Sequence, residues 1–285
     1  MIQKTVVTAE MVKQLRERTG VGMGKCKEAL EQAQGDMEVA IANLRKAGIA
    51  SAVKKEGREA NEGLIGAGES KTAIALVEVN SETDFVTQNE KFRQFLRDVA
   101  NEAAELKPSN LESFLTKKCT KDPSLTIDAY RALMVQSLGE NIRIKRLLVI
   151  PKKPDMSIGM YSHMGGKIVA VVELSGGAGH EVLARDIAMH VAAEAPDYLT
   201  PEEVPADIKA KEMDIAKSQV QGKPAQMIEK IVQGKLEAFY GLSCLLRQKF
   251  VKDNTVNVTQ LLERESKAAG KKFQILKYYR WQVGG

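Results

Sequence analysis

Apolar positions recur at helical spacing through the first 48 residues. Met11, Val12 and Leu15 share one face of a helix that ends at Gly20. Cys26, Ala29, Leu30 and Ala33 share a second that ends at Gly35, and Val39, Ala40 and Leu44 a third that ends at Gly48. Glycine closes each run, as suits a residue that costs about 1 kcal/mol inside a helix and readily forms the left-handed cap at its end. Asp36 stands where the third helix needs an N-cap. The pattern predicts a three-helix bundle over residues 1–50, with Val21 and Met23 exposed on the turn Gly20-Val21-Gly22-Met23-Gly24. Residues 51–62, with Ser51, Lys54, Lys55, Glu56, Gly57 and Arg58, lose the apolar period and read as a linker with some helical character.

Beyond residue 62 the pattern becomes that of strands, and it occurs twice. Gly63-Leu64-Ile65-Gly66 opens a strand, 73–80 forms a second, and a helix follows with Leu96-Arg97-Asp98-Val99-Ala100. Ser157-Ile158-Gly159-Met160, then 168–175, then a helix with Ala184-Arg185-Asp186-Ile187-Ala188 repeat the order. Two copies of one ββα unit, each a sheet covered by helix, account for this. From Glu78 to Arg97 is 19 positions (97 − 78), and from Glu173 to Arg185 is 12 (185 − 173), so the first copy holds seven additional residues. The surplus falls on 80–87, a loop between repeated elements, where function tends to sit. Thr83 is placed to N-cap a turn containing Asp84, Phe85 and Val86. Phe85 is then either a protruding anchor for a partner or a staple holding its own turn to the sheet, and spacing leaves both open.

Elsewhere, residues 109–139 read as helix with Ile127, Tyr130, Leu133 and Met134 in phase, and 142–150 as a strand. Residues 201–240 read as a helical hairpin, 202–220 and 224–240, turning at Gln221-Gly222-Lys223-Pro224. Its stripe of Met227, Ile228, Ile231, Leu236 and Phe239 is too thin for a large core. It packs on the main body or seals against a partner hairpin. Thr259 is placed to cap a helix with Leu261 and Leu262 that stops at Gly270, with Val256 and Val258 packing its entry; 273–281 is a last strand. The expected class is α+β: bundle 1–50, linker 51–62, core subdomain 63–150, a second core subdomain from 151–200 and 241–285, and hairpin 201–240.

Composition then narrows the chemistry. With 44% hydrophobic and 28% charged residues the balance is that of a globular protein. No apolar run approaches the roughly 18 residues of a membrane span, and residues 1–8 lack a secretory core, so a cytoplasmic protein is expected. Cys26, Cys119 and Cys244 lie far apart and read as reduced structural thiols. The net charge of +5 is interspersed except near the C-terminus, where Lys271, Lys272, Lys277 and Arg280 surround Phe273, Tyr278, Tyr279 and Trp281. Such a segment suits stacking on RNA. Yet alternation puts Phe273, Ile275 and Lys277 on one face and Leu276, Tyr278 and Arg280 on the other, as in an edge strand, and direct nucleic-acid binding is not expected. His163, His180 and His190 lack metal-ligand spacing, and no phosphate-cradling loop or nucleophile elbow is present. Neither an enzyme, a cofactor nor a metal is expected, and the reading that remains is a protein that works by binding another.

The run Val12-Lys13-Gln14-Leu15-Arg16-Glu17-Arg18-Thr19-Gly20-Val21-Gly22-Met23, followed by Cys26-Lys27-Glu28-Ala29-Leu30, resembles the start of the bacterial elongation factor Ts family. Gly35-Asp36, Asn80, Thr83-Asp84-Phe85-Val86, Gly139-Glu140-Asn141-Ile142 and Met189-His190-Val191-Ala192-Ala193 extend the likeness along nearly the whole chain in one order. The resemblance implies a guanine-nucleotide exchange factor that promotes GDP release from elongation factor Tu during translation elongation. It implies a ubiquitin-associated-like bundle docking on the GTPase domain, with Val12, Leu15, Val21 and Met23 as contact residues. It also implies a wedge, Asp84-Phe85 flanked by Thr83 and Val86, that enters between two helices of that domain and disturbs the magnesium and phosphate environment. The second subdomain, where His163 fits a family position, is implied to touch another domain of the GTPase, and the hairpin is associated with dimerisation in some members. Two departures stand out: Gly24 replaces a second Met found in some members, and a helical module that some carry after the last strand is not expected here.

Overall fold

Thr8 accepts a hydrogen bond from the Met11 amide and starts α1 (Ala9–Thr19), which Gly20 closes at φ 67°. α2 (Met23–Gln32) leads into Gly35 at φ 88°, and the Asp36 carboxylate accepts from Val39 N to cap α3 (Met37–Lys55). The computed structural model describes residues 6–220 and 224–285. Residues 1–5 of the segment read as lacking a secretory core, and Gln221-Gly222-Lys223 of the hairpin turn, lie outside the described residues. The bundle core holds Leu15, Val21, Cys26, Leu30, Ala40 and Leu44. Two expectations fail here. Val21 is wholly buried, because the left-handed turn at Gly20 folds it back into the bundle, and Val39 is 46% exposed.

The chain divides into two compact units, one running through Pro151 and including Gln282–Gly285, the other Lys152–Trp281. In the first, β1 (Glu62–Glu69), β2 (Ala73–Ser81) and β3 (Arg143–Pro151) form an antiparallel sheet in that order. Between β2 and β3 run α4 (Asp84–Gln88), α5 (Glu90–Leu106), α6 (Leu111–Thr116) and α7 (Ile127–Leu138). The single helix expected over 109–139 is thus two, separated by a loop that buries Cys119 and Leu125 and is pinned by a bridge between Lys118 and Thr126. α5 lays Phe92, Phe95, Leu96 and Val99 into the core, where Phe95 meets Tyr130 edge-on with centroids 4.9 Å apart. Gly48 does not stop α3. A Cβ there would lie 3.4 Å from Ala132 O and Leu133, so this glycine permits close packing on α7. The helix continues to Lys55, burying Ala52, and the segment read as a linker is correspondingly shorter.

The second unit repeats the plan. β4 (Met156–His163) and β5 (Ile168–Ser175) pair antiparallel and α8 (Glu181–Glu194) covers them. α9 (Ala206–Ser218), α10 (Ala225–Ser243), the short β6 (Lys249–Phe250) and β7 (Asp253–Asn257), and α11 (Val258–Ala269) precede β8 (Gln274–Gln282). β8 is an edge strand, in the order β4-β5-β8, with Phe273 and Ile275 buried and Leu276 half exposed, as its alternation required. The repeat holds at the level of register: Ile65 pairs with Glu78 and Gly66 with Val77, while Ile158 pairs with Glu173 and Gly159 with Val172.

Three details differ from expectation. α9 begins at Ala206 rather than 202, because Pro205 disfavours helical backbone at the residue before it. Asn257, not Thr259, caps α11: its side chain accepts from Gln260 N while the Gln260 side chain accepts from Asn257 N. Thr259 lies inside the helix and donates to Leu246 O at 2.8 Å. In the hairpin, Ile228 and Ile231 pack with Ala216, Val220 and Val232, while Leu236 and Phe239 pack at its base with Tyr198, Val204 and Cys244, so the thin stripe is divided between the hairpin itself and the body of the second unit. Ile215 and Met227 remain about half exposed.

Candidate functional site

The seven-residue surplus of the first repeat runs from the end of β2 through α4 into an added first turn of α5. Phe85 is 84% exposed, more than any other large apolar side chain among the described residues. A phenylalanine left in water forgoes about 1.5–3 kcal/mol of burial energy, so its exposure does nothing to stabilise the free chain. The staple reading of Phe85 does not hold. Val86, packed on the core, and the buried Thr87 anchor the turn instead. Thr87 Oγ1 donates to Asp84 O at 2.6 Å, Asn89 N donates to Val86 O at 3.0 Å, and the Asn89 side chain caps α5 by accepting from Lys91 N.

Thr83 stands at the N-cap position in extended backbone, yet its hydroxyl makes no capping bond. It donates to Glu140 Oε1 at 2.6 Å, and Thr83 N donates to Glu140 Oε2 at 3.0 Å. A second carboxylate runs the other way: Glu82 Oε1 accepts from Asn141 N at 2.6 Å and from Arg58 at 3.5 Å. Asn141 is itself buried, and its amide donates to Arg58 O at 2.8 Å. Two crossed carboxylates therefore lace the turn after β2 to the segment after α7. From the sequence, Gly139-Glu140-Asn141 read as a helix stop and as part of the family likeness, with no role given to Glu140. Its one signal was two polar residues directly after a glycine cap.

Of the four bundle residues implied as contacts, Val12, Leu15 and Val21 are core, and Met23 alone is exposed, at 52%. The turn that carries it is tied to α5. Lys91 Nζ donates to Gly20 O at 2.5 Å and to Ser137 Oγ at 3.1 Å, and Ser137 Oγ donates to the same carbonyl at 2.9 Å. Lys91 thus meets the C-terminal end of α1, where free carbonyls favour a cation. Lys55 Nζ similarly donates to Gly139 O at 2.6 Å.

In the second unit His163 is exposed at the end of β4, 3.4 Å from the Tyr161 hydroxyl. The adjoining Met164, not singled out from the sequence, is 70% exposed on a tight turn, with φ 49°. His190, by contrast, is fully buried. Its Nδ1 accepts from Val251 N at 3.2 Å, which leaves Nε2 to donate to Gln248 Oε1 at 3.0 Å. Burial lowers its pKa and favours this neutral, structural state. The three cysteines are buried, and desolvation pushes the Cys119 and Cys244 thiols up to about 11, so these two stay protonated and unreactive. Among the described residues no group of His, Cys, Asp and Glu is placed to hold a metal, and no helix is long and apolar enough to cross a membrane.

A family model described as elongation factor TS matches residues 82–285, beginning at the clamped turn. The chain is 58% identical over 278 residues to an elongation factor Ts of Protochlamydia amoebophila, spanning 98% of this chain and 99% of the relative. It is 45% identical over 275 residues to elongation factor Ts of Chlamydia trachomatis and 46% identical over 275 residues to that of Chlamydia pneumoniae. Each of these two covers 96% of this chain and 98% of the relative.

Proposed function

This chain belongs to the elongation factor Ts family, and from that premise we propose that it is a guanine-nucleotide exchange factor for elongation factor Tu. Asp84-Phe85 enters the GTPase domain and disturbs the magnesium and phosphate site, so that GDP leaves. The observation that carries this reading is Phe85: a large apolar side chain, 84% exposed, on a turn whose approach is laced by hydrogen bonds to Glu140 and Asn141. Its burial against a partner is worth about 1.5–3 kcal/mol, or roughly one to two powers of ten in an equilibrium. An exchange factor needs no bond-making residues. It must bind the nucleotide-free GTPase better than the GDP-bound form, and the factor by which it weakens GDP is the factor by which GDP weakens it.

The bundle docks on the GTPase domain with Met23 as its exposed apolar contact, and His163 with Met164 serves the second unit's contact. Because Gly48 and Ala52 seat α3 on the first unit's core, cutting away residues 1–50 would uncover α7 as well as remove the docking surface. A point change at Met23 is the cleaner probe. The protein acts in the cytoplasm and without direct contact to nucleic acid. The hairpin supports self-association through the half-exposed Ile215 and Met227; light scattering should show a lower oligomeric state when residues 203–238 are removed, and an unaltered oligomer would refute that role.

The decisive measurement is the release rate of a fluorescent GDP analogue from elongation factor Tu. The chain should accelerate release, and Phe85→Ala should slow the stimulated rate about tenfold, equivalent to roughly 1.4 kcal/mol. The melting temperature should move little, because exposed positions are usually worth within about 0.5 kcal/mol. Acceleration that survives Phe85→Ala moves the mechanism elsewhere, and no acceleration of a cognate GTPase overturns the function.

A further inference from the structure

We propose that Glu140 is the positioning residue of the exchange turn, holding Thr83 so that Phe85 is presented in one orientation before the GTPase arrives. This rests on the reading of Phe85 as the wedge. α4 has only five residues, too few for a helix to hold by itself in water. Its first-turn amides would ordinarily be organised by the N-cap side chain, and here that hydroxyl is turned away. Val86 and Thr87 anchor the turn from below and the Ser81 hydroxyl donates to Thr83 O at 2.9 Å, but the amide and hydroxyl of Thr83 are held from 57 residues further along the chain, by the two Glu140 carboxylate oxygens. A hydrogen bond to an ionised carboxylate is shorter and stronger than a neutral one, and two on one residue fix direction as well as distance.

Glu140 is in turn placed by its own neighbours. It follows Gly139, the left-handed cap of α7 at φ 82°, whose carbonyl takes the Lys55 ammonium from α3. The next residue, Asn141, is held through its amide N by Glu82 and through its side chain to Arg58 O. The direction of Phe85 is therefore set by the end of α7 and by α3, the helix that joins the bundle to the core. A turn without this clamp would still carry Phe85, but would have to be ordered during docking, and affinity or rate is lost to that ordering.

The test measures stimulated GDP release from elongation factor Tu, with the full chain and its variants titrated to saturation. Glu140→Ala should lower the saturating rate about fivefold, while the half-saturating concentration, set largely by docking elsewhere, changes less than about twofold. Glu140→Gln keeps one acceptor oxygen and should recover part of the rate; Thr83→Val should lose only the hydroxyl's share. Should Glu140→Ala fold poorly in a thermal melt, these two conservative variants carry the test. The double variant Glu140→Ala with Phe85→Ala should be no slower than Phe85→Ala alone, because Glu140 acts through Phe85. Effects that multiply, or a Glu140→Ala rate equal to the unmodified chain while Phe85→Ala is slow, overturn this inference and leave the wedge standing. A Phe85→Ala rate equal to that of the unmodified chain overturns the wedge reading, and this inference falls with it.

Discussion

Arg146→Met is expected to destabilise the first unit by about 3 kcal/mol, measured by urea unfolding. Glu78 lies in the middle of β2 with its side chain wholly inaccessible to water. Its carboxylate accepts from Arg146 Nε at 2.7 Å, from Asn80 Nδ2 at 3.2 Å and from Gly284 N at 3.1 Å. Lys145 Nζ, 3.9 Å away and 40% exposed, is too screened to replace the guanidinium. Removing one partner of a buried pair strands the other and costs about 3–5 kcal/mol. The lower figure applies because Arg146 is itself 30% exposed. Removing both charges, with Glu78→Gln and Arg146→Met together, should cost less than Arg146→Met alone, since no charge is then left unpaired. The pair sits where the register of β2 and β3 shifts, between Glu78 and Val79. Such irregularities bend a strand and re-aim the residues beyond them. Beyond this one, β2 runs only to Ser81 before the turn that carries Phe85. A loss below about 1 kcal/mol for Arg146→Met would mean that water or Lys145 satisfies Glu78, and that the site's base does not depend on this pair.

What the sequence disclosed and what it hid divide along the range of the forces involved. Gly20, Asp36 and Gly270 act on amides or carbonyls a few residues away, and each did what its type and place predicted. The repeat was readable because apolar strand runs and the Arg-Asp-(Val/Ile)-Ala helix motif are local patterns, and the register of both copies agrees with it. The surplus between Glu78 and Arg97 needed only subtraction, and it is shared by the stretch that carries α4 and an added first turn of α5. The failures are long-range. Val21 looks like any apolar turn residue until Gly20 folds it against Leu15 and Leu30. Gly48 looks like a helix stop until α7 is packed on it, and Thr83 looks like a cap until Glu140 arrives from another part of the chain. Thr259 and Asn257 are both good caps by type, and Gln260, three residues after Asn257, decides between them by completing the capping box. Exposure of Phe85 had the same character: only the folded chain tells an anchor from a staple.

Gly159→Val should be the most damaging single substitution in the second unit, costing about 3 kcal/mol or more. A Cβ at Gly159 would lie 2.0 Å from Arg185 N and 2.1 Å from Ala184 C, both backbone atoms of α8. No rotamer change relieves a clash with backbone, so the helix must lift from β4, and overpacking of that kind exceeds the usual 1–3 kcal/mol of a crowded core. The first repeat uses the same device with different slack. At Gly66, the counterpart by register, a Cβ would meet Leu96 O at 3.2 Å and Leu96 Cγ at 2.6 Å, a buried side chain that can swing aside only by changing rotamer. At Gly68 it would meet Ala100 O at 2.1 Å, which cannot. Gly66→Ala should therefore be markedly milder than Gly68→Ala or Gly159→Ala. Gly234 supplies the opposite sign: it sits exposed in α10, where an added Cβ would have nothing within 4 Å, and Gly234→Ala should stabilise the hairpin by about 1 kcal/mol through helix propensity alone. The chain's single tryptophan, Trp281, lies at the end of β8 and reports on the second unit by fluorescence. If Gly159→Val unfolds there with a midpoint near that of the unmodified chain, α8 is free to lift. The close helix-on-strand contact would then not be what the two copies of the ββα unit share.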